Sequence, residues 1–227
     1  MVPSPATRPR PKPPLVTDRL ERAEDPLADD VAWSGVTAGA EASFSGAAAD
    51  CEVVGSRLQG VRLTGAVLER LRLIDVELDD CELSGVLLED ASFVRVRFTR
   101  CRLSGIVAAG LKAHDVSFAD CRLDGANFRM AEWERSEWVG CDLTDGDCYA
   151  AKLGGCAFLD CTLTRLELSK AVCRDLALHG STLDGIRGAD ALGGCLIGPD
   201  QVVPLGIALV GALGIRVQDH PDRQDEA

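Results

Sequence analysis

The sequence contains few aromatic residues, few histidines and no proline in its central part. Among 227 residues there are six Phe, three Trp, one Tyr and three His, and no proline lies between residues 27 and 198. A phosphate-binding loop, a serine nucleophile elbow and a zinc-protease HExxH pattern are all absent from the sequence. We therefore expect a protein that is not an enzyme, with no cofactor and no bound metal.

Basic residues are also few relative to acidic ones. The chain has 24 Lys and Arg against 36 Asp and Glu, which gives a formal net charge of -12. A protein that holds nucleic acid by its phosphates needs the opposite sign of charge. We therefore expect protein partners and no direct binding to nucleic acid.

Long apolar runs are missing as well. The longest extends from Val202 to Ile215, and a proline and three glycines interrupt it, whereas a membrane-spanning helix needs about 20 apolar residues. The N-terminal segment lacks the apolar core of a signal peptide. Ten cysteines without a secretion signal are typical of a reducing compartment, so we expect a cytoplasmic location and no membrane contact.

The prolines that are present divide the chain into four parts. Seven of the ten lie in the first thirty residues, and this composition predicts a disordered or polyproline-like arm over residues 1–30. We expect a repeat domain over residues 31–198, a C-terminal helix over 199–215 and a polar tail over 216–227.

A five-residue repeat fills the central part. Counting in fives from Val53 to Leu183, 22 of the 27 positions hold Leu, Phe or Trp, and a smaller or branched residue stands two places before each. Helices and strands have periods of 3.6 and 2 residues. Each five-residue unit must therefore contain a bend, with two side chains pointing inward and three pointing outward.

A second period of twenty residues shows how the bends close into coils. Every twentieth residue from Leu63 to Leu183 is Leu, and strings such as CELSG, CRLSG and CRLDG recur at this interval. Four units therefore form one coil with four faces. Residues 51–185 contain about 6.75 such coils, and at roughly 4.8 Å per coil they predict a rod about 32 Å long.

This unbroken run resembles the pentapeptide repeat family, whose members form a right-handed quadrilateral β-helix. The resemblance covers residues 51–185 and implies an all-β fold with four pentapeptides per coil. Because no loop interrupts the repeats, the chain is more similar to the mycobacterial gyrase inhibitors of this family than to its plasmid-borne quinolone-resistance proteins.

Cysteines recur on one inner column of this solenoid, from Cys81 through Cys101, Cys121 and Cys141 to Cys161. Metal ligation and disulfide bonds are alternatives to simple packing. Bridged Cβ atoms lie roughly 3.5 to 4.5 Å apart, less than the coil spacing of about 4.8 Å. We therefore favour the interpretation that these cysteines are free core residues.

After the repeats, Asp200 is predicted to cap a short α-helix that runs to about Leu213. The apolar residues of this segment are more numerous than one coil end needs for cover, so we expect a homodimer interface as well as a cap. The resemblance implies the same, because relatives that protect antibiotic targets dimerise through their C-terminal segment. The predicted cap and dimer residues are Val202, Val203, Leu205, Leu209, Val210 and Leu213.

Acidic residues on the outward positions are the candidate partner-binding surface. The first acidic stretch consists of Asp75, Glu77, Asp79, Asp80 and Glu82. The second acidic stretch consists of Glu132, Glu134, Glu137, Asp142, Asp145 and Asp147. Two hypotheses follow: a protein-interaction scaffold, or, as the resemblance implies, a DNA-mimicking regulator of a type II topoisomerase such as DNA gyrase that lowers quinolone sensitivity.

Overall fold

The computed structural model describes residues 9–23 and 27–218 and shows a right-handed quadrilateral β-helix. It is a parallel β-solenoid of about seven turns that ends in one short α-helix. The sequence-based prediction of the fold class is confirmed. The fold follows from the five-residue period, because each unit places two side chains in the core and then bends.

The strands of the described chain are short, and neighbouring strands pair in parallel. They are β1 (Glu21–Arg22), β2 (Ala32–Ser34), β3 (Val36–Ala38), β4 (Ala47–Ala49), β5 (Glu52–Val54), β6 (Arg57–Gln59), β7 (Val67–Glu69), β8 (Arg72–Asp79), β9 (Leu87–Glu89), β10 (Ser92–Thr99), β11 (Lys112–Ala119), β12 (Glu132–Glu134), β13 (Glu137–Val139), β14 (Lys152–Gly154), β15 (Ala157–Leu159) and β16 (Val172–Arg174).

The pairing register repeats every twenty residues, so each residue stacks on its equivalent in the next coil. Leu73 of β8 lies opposite Phe93 of β10, for example. The first face of the solenoid contains β5, β12, β14 and β16, and the second contains β6, β13 and β15. The long strands β8, β10 and β11 cross the corner between these two faces. Isolated bridges such as Arg62 to Glu82 form the third face, and β4, β7 and β9 belong to the fourth.

The bends between units use left-handed backbone conformations at every fifth residue. Asp75, Arg95, Asp115 and Arg135 have φ between 48° and 57°. Asp tolerates this region because its short polar side chain can bond locally, whereas Arg has no such advantage. The residue type at the bend is therefore set less by backbone preference than by the contacts that its side chain makes with the coil above or below.

The core consists of stacked columns of identical or similar side chains. On the second face, the rings of Phe98, Phe118, Trp138 and Phe158 stack with successive centroid separations of 4.7, 5.5 and 4.5 Å. Such parallel stacks add stability beyond the burial of their area. The predicted inner positions are buried along the repeat region, except Cys173, which is half-buried.

Separate elements cover the two ends of this core. At the N-terminal end, β1 pairs with β3, and Leu27 is buried against the first coils. At the C-terminal end, two 3-10 turns, Ala189–Leu192 and Pro199–Gln201, precede helix α1 (Val202–Ala212). Uncovered coil ends would expose apolar side chains and unpaired backbone groups, so solenoids need caps of this kind.

The start of α1 differs from the sequence-based prediction. Asp200 lies within the 3-10 turn, and no side chain makes a capping hydrogen bond to the first turn of α1. The helix begins two residues after Asp200 because Pro199 opens a tight turn first.

The N-terminal arm also differs from the expected disorder over the residues that the structure describes. Residues 9–23 lie along the solenoid, and the backbone N–H groups of Lys12 and Leu15 donate hydrogen bonds to Asp115 and Asp75. Low apolar content predicted disorder because a chain of this composition cannot form its own core, but it can still bind to a surface that already exists. Residues 1–8 and 24–26 of the predicted arm, and residues 219–227 of the predicted polar tail, lie outside the described residues.

Candidate interaction surfaces

The first acidic stretch wraps around the solenoid instead of covering one face. Asp75 lies at the corner between the first and second faces, Glu77 and Asp79 lie on the second face within β8, and Glu82 lies on the third face. Consecutive residues in a solenoid travel around the coil, so a dense run of charge in the sequence is distributed around the rod.

The second acidic stretch is distributed in the same way. Glu132 and Glu134 belong to β12 on the first face and Glu137 belongs to β13 on the second. Asp142 lies in a bridge of the third face and Asp147 in a bridge of the fourth. The structure therefore brings neither stretch together on a single face.

Ion pairs neutralise most of these carboxylates. Arg95 Nε lies 2.5 Å from Asp75 Oδ1, and Arg165 Nη2 lies 2.6 Å from Asp145 Oδ2. In both pairs the partner is the equivalent residue of the next coil, twenty positions later. Further ion pairs, within one coil or between coils, are formed by Glu77, Asp79, Asp80, Glu132, Glu134 and Asp147.

These ion pairs keep the carboxylates ionised while cancelling their field. The hydrogen bond from Arg95 is the largest influence on Asp75 and lowers the pKa of this carboxyl group. The pKa of Asp145 is lowered in the same way by its hydrogen bond from Arg165. A carboxylate with an adjacent guanidinium contributes little to the long-range potential, so the acidic stretches present less negative charge to a partner than their sequence indicates.

The remaining members of the two stretches have other polar contacts or a half-buried position. Glu82 accepts hydrogen bonds from the backbone N–H and the hydroxyl of Ser84, at 3.1 and 2.5 Å. Asp142 accepts the equivalent pair of bonds from Thr144, at 3.0 and 2.7 Å. Glu137 is half-buried in β13. These local bonds fix the carboxylates against their own coil.

Helix α1 presents two kinds of apolar side chain. Leu205 and Leu209 pack partly against the solenoid core. The predicted residues Val202, Val203 and Leu213 instead face outward, with 57, 70 and 65% of their surface exposed, and Val210 is half-buried. The predicted cap and dimer residues therefore fall into a packed group and an exposed group.

The exposed apolar surface extends beyond the predicted set. Ile207 is 70% exposed, and Ile215 and Val217 after the helix are also exposed. Gly206 and Gly211 lie within the helix and contribute no side chain to either of its faces. They therefore hide the apolar pattern of the helix in the sequence.

Gln201 closes the C-terminal end of the solenoid, and the sequence analysis did not identify it. Its side-chain amide donates to the backbone carbonyl groups of Leu178 and Ser181, both at 2.5 Å, and its Oε1 atom accepts from the N–H of Gly198 at 2.7 Å. Gln201 is almost fully buried. A single glutamine between a proline and an apolar run gives no sequence signal for this role.

The corner between the first and second faces is a second feature that the sequence analysis did not identify. We use the term corner column for its residues Gly55, Asp75, Arg95, Asp115, Arg135 and Gly155. Asp and Arg alternate along its centre and form bidentate ion pairs, Asp75 with Arg95 and Asp115 with Arg135. The signal that could have found it is this alternation at intervals of twenty residues.

The two aspartates of the corner column are strongly shielded from solvent. The exposed fractions of the Asp75 and Asp115 side chains are 11 and 1%. Burial acts to raise the pKa of Asp115, but hydrogen bonds from Arg135 and from the Lys12 backbone N–H outweigh it and lower the pKa. The corner column therefore holds two ionised, buried acceptors that receive hydrogen bonds from the arm.

The cysteines of the inner column are free and buried. The Sγ atoms of Cys81 and Cys101 lie 3.5 Å from the carbonyl oxygen atoms of Leu58 and Leu78 in the preceding coils. Burial raises the pKa of another core thiol, Cys148, to about 12. These positions are consistent with the core-packing interpretation.

The described part of the chain contains no group of three or more His, Cys, Asp or Glu side chains arranged to hold a metal ion. His114 lies on the first face, beside Asp115 and Arg135, and His179 lies on the second face, so the two do not form a site together. The third histidine, His220, lies outside the described residues. No helix among residues 9–23 and 27–218 has the length and hydrophobicity to cross a membrane.

Solved structures that are similar to this chain include QnrB1, a plasmid-mediated fluoroquinolone resistance protein. One trypsin-treated QnrB1 variant is 18% identical, with a TM-score of 0.50 and coverage of 87% of this chain and 95% of that chain. HetL, a pentapeptide repeat protein involved in heterocyst differentiation regulation in the cyanobacterium Nostoc sp. strain PCC 7120, is 14% identical, with a TM-score of 0.32 and coverage of 72% of this chain and 87% of HetL. At these identities the likeness concerns the fold alone.

Sequence profiles agree with this fold. The profile for the pentapeptide repeat region matches residues 51–128, and the profile for eight copies of the pentapeptide repeat matches residues 121–158. No curated protein matches the sequence significantly. Together with the twenty-residue register and the four-faced coil, these matches show that the chain belongs to the pentapeptide repeat family.

Proposed function

We propose that this chain is a non-catalytic scaffold for protein interactions in the cytoplasm, and that it assembles as a homodimer through α1. The observation that carries the proposal is the row of exposed apolar side chains on this helix. Val203 and Ile207 are each 70% exposed and lie at i and i+4, on the same side of α1. Exposed apolar patches of this kind are typical of protein interfaces.

The interior of the solenoid supports a non-catalytic role. Its inward side chains are packed into one continuous core from Trp33 to Leu192. The outward side chains form ion pairs and short polar contacts with neighbouring coils, which leaves a rigid rod with a varied outer surface. A rod of this kind suits the presentation of binding surfaces at fixed spacing.

Light scattering on the purified protein tests the dimer. We expect a mass of twice the 24.1 kDa of one chain, and we expect Ile207→Lys to give a folded monomer because a charge at this position cannot be buried between two apolar helices. Met130→Lys is the matched control, because Met130 is 58% exposed on the solenoid, away from α1. A mass that is unchanged by Ile207→Lys contradicts the proposed interface.

A second candidate function is the regulation of a type II topoisomerase by DNA mimicry. QnrB1, described as a fluoroquinolone resistance protein, shares the fold. The observation in this chain that favours the candidate is the corner between the second and third faces, where Asp120 and Asp160 are exposed and form no ion pair with any described residue. No neighbouring guanidinium or ammonium group of the described residues is close enough to pair with either carboxylate.

A DNA gyrase supercoiling assay, with and without a fluoroquinolone, tests this candidate. If mimicry operates, the double variant Asp120→Asn/Asp160→Asn loses inhibition, because it removes two uncompensated charges. The double variant Asp145→Asn/Arg165→Gln is the control, because it removes both members of an ion pair, leaves the net charge unchanged and retains inhibition. Absence of any effect of the folded wild-type protein on gyrase eliminates the candidate.

A further inference from the structure

The N-terminal arm follows the corner column over several coils. Pro9 lies beside Gly155, where a Cβ atom would be 3.8 Å from Pro9 Cγ. The N–H of Lys12 donates to Asp115 Oδ1 at 3.1 Å, and the N–H of Leu15 donates to Asp75 Oδ1 at 2.9 Å. The arm therefore runs antiparallel to the order of the coils and passes two coils with every three residues.

This spacing equals the repeat of a polyproline II helix. Prolines at positions 9, 11, 13 and 14 fix φ near -65° and restrict the preceding residues to extended conformations. A polyproline II helix advances about 3.1 Å per residue, or roughly 9.3 Å per three-residue turn. Two coils of the solenoid rise by roughly 9.6 Å. The two periods agree, so the arm stays in register with the corner column.

Over residues 9–15 the burial of the arm shows the same three-residue period. Pro11 and Pro14 are half-buried against the solenoid, whereas Lys12, Pro13 and Leu15 are exposed. In a helix with three residues per turn, residues i and i+3 lie on the same side. The N–H groups that reach the aspartates belong to the residues that directly follow the two inward prolines.

The corner column is built to accept these N–H groups. Arg95 and Arg135 hold the two buried carboxylates in place with bidentate hydrogen bonds. A hydrogen bond from an N–H to an ionised, oriented carboxylate is stronger than one between neutral groups.

We propose that the corner column is a binding site for proline-rich peptides in the polyproline II conformation, and that the chain's own arm occupies it. Recognition depends on two prolines three residues apart, each followed by a residue with a backbone N–H, as in P-K-P-P-L of residues 11–15. None of these features requires the arm and the solenoid to be covalently linked. A peptide of the same pattern on another molecule therefore binds wherever the arm is displaced.

This inference deepens the proposed scaffold function by naming a class of partner, and it rests on that function for its biological use. The two can fail independently, because peptide binding is measured with no second protein present and dimerisation is measured by light scattering. A protein that binds the peptide as a monomer supports the corner column and contradicts the α1 interface.

The test uses the full chain with an arm that cannot make the two hydrogen bonds. Lys12→Pro/Leu15→Pro removes both N–H donors in an exposed segment, and circular dichroism confirms that the solenoid remains folded. A fluorescent peptide of residues 8–17, RPRPKPPLVT, is titrated in and followed by anisotropy. We expect saturable binding to this variant and much weaker binding to the wild type, where the tethered arm competes at a millimolar effective concentration.

Two altered peptides supply the specificity control. The Lys12→Pro peptide and the Arg10→Pro peptide each lose one positive charge and gain one proline, but only the first loses an N–H that donates to Asp115. We expect the Lys12→Pro peptide to bind at least about tenfold more weakly than the Arg10→Pro peptide. Equal binding of the two peptides overturns the proposal, because the attraction would then be one of charge alone.

A variant of the corner column provides an independent measurement. Asp115→Ala in the same double-proline background removes the acceptor of Lys12, so peptide affinity falls by about tenfold or more if the site is correctly placed. Should this variant melt at a lower temperature than its parent, the two altered peptides still decide the question on the parent. Absence of binding of the unaltered peptide to the folded parent also overturns the proposal.

Discussion

At the scale of single residues, the ends of the solenoid depend on polar side chains that replace a missing coil. Gln201 supplies two N–H donors and one acceptor where the next coil would have supplied backbone groups. An apolar cap alone would leave the carbonyl groups of Leu178 and Ser181 buried and without a donor. Buried carbonyls without a partner cost free energy, so this one side chain determines whether the cap is stable.

We predict that Gln201→Ala lowers the free energy of unfolding by about 1 to 3 kcal/mol, because it leaves buried backbone groups without partners. Asp200→Ala is the control. Asp200 is adjacent in the sequence, but it is exposed and makes no capping hydrogen bond to α1, so its replacement changes stability by less than about 0.5 kcal/mol. Urea denaturation measures the free energy of unfolding of both variants. An equal loss in the two would show that the hydrogen bonds of Gln201 do not stabilise the cap.

Some single-residue roles were predictable from the sequence, and others were not. Inward positions such as Leu123 were predictable because apolar type repeats every five residues and packing admits few alternatives. The roles of Gln201 and Asp115 were not predictable, because a polar residue that bonds to one distant backbone group leaves no periodic trace. Such contacts become visible only when the coil register brings residues from far along the chain together.

At the scale of elements, stability resides in the columns that stack between coils. Leu123 is fully buried, and its backbone N–H donates to the next coil at Asp142. Each coil contacts only its two neighbours, so a defect in one coil removes support from both. The central coils should therefore be more sensitive to inward substitutions than to outward ones.

We predict that Leu123→Asp destabilises the protein by several kcal/mol, because it places an unpaired charge in the core. Arg122→Asp is the matched control, since Arg122 is the adjacent outward residue and is exposed, and it should change stability only slightly. Thermal melting followed by circular dichroism compares the two. Equal melting temperatures would mean that the assignment of inward and outward positions is wrong.

The elements outside the repeats were predicted less well than the repeats themselves. For α1, the existence and approximate end of the helix followed from composition, but its outward residue Ile207 did not, because glycines interrupt the apolar pattern. For the arm, composition predicts a segment without its own core. It gives no information about docking, which depends on the corner column, whose residues lie 60 to 103 positions away from the arm residues that they bind.

At the scale of the whole molecule, winding converts charge runs in the sequence into charge pairs in space. The carboxylate of Asp75 and the guanidinium of Arg95 belong to different stretches of the sequence, and the twenty-residue register brings them into contact. The count of 36 acidic residues therefore overstates the negative field around the rod. The surfaces best suited to specific partners are the exposed apolar side of α1 and the corner column.

The same twenty-residue register accounts for both the solenoid and the docked arm. The pKa values of Asp75 and Asp115 are lowered in the folded protein from their ordinary value of 3.8. Lowered carboxyl pKa values mean that the ionised acceptors of the arm contribute fully to stability above pH 3.8, and that this contribution is lost as the pH falls through the lowered values. We therefore expect slow hydrogen exchange at the amides of Lys12 and Leu15, and we expect this protection to depend on pH.

The most direct measurement is the protection of individual arm amides against hydrogen exchange in the full chain by NMR. At pH 7 we predict protection of about tenfold or more for Lys12 and Leu15. No protection is expected for Arg10, whose N–H donates to no described residue, and the protection of Lys12 and Leu15 should disappear in acid. Exchange of Lys12 and Leu15 at pH 7 as fast as that of Arg10 would contradict the docking of the arm on the corner column.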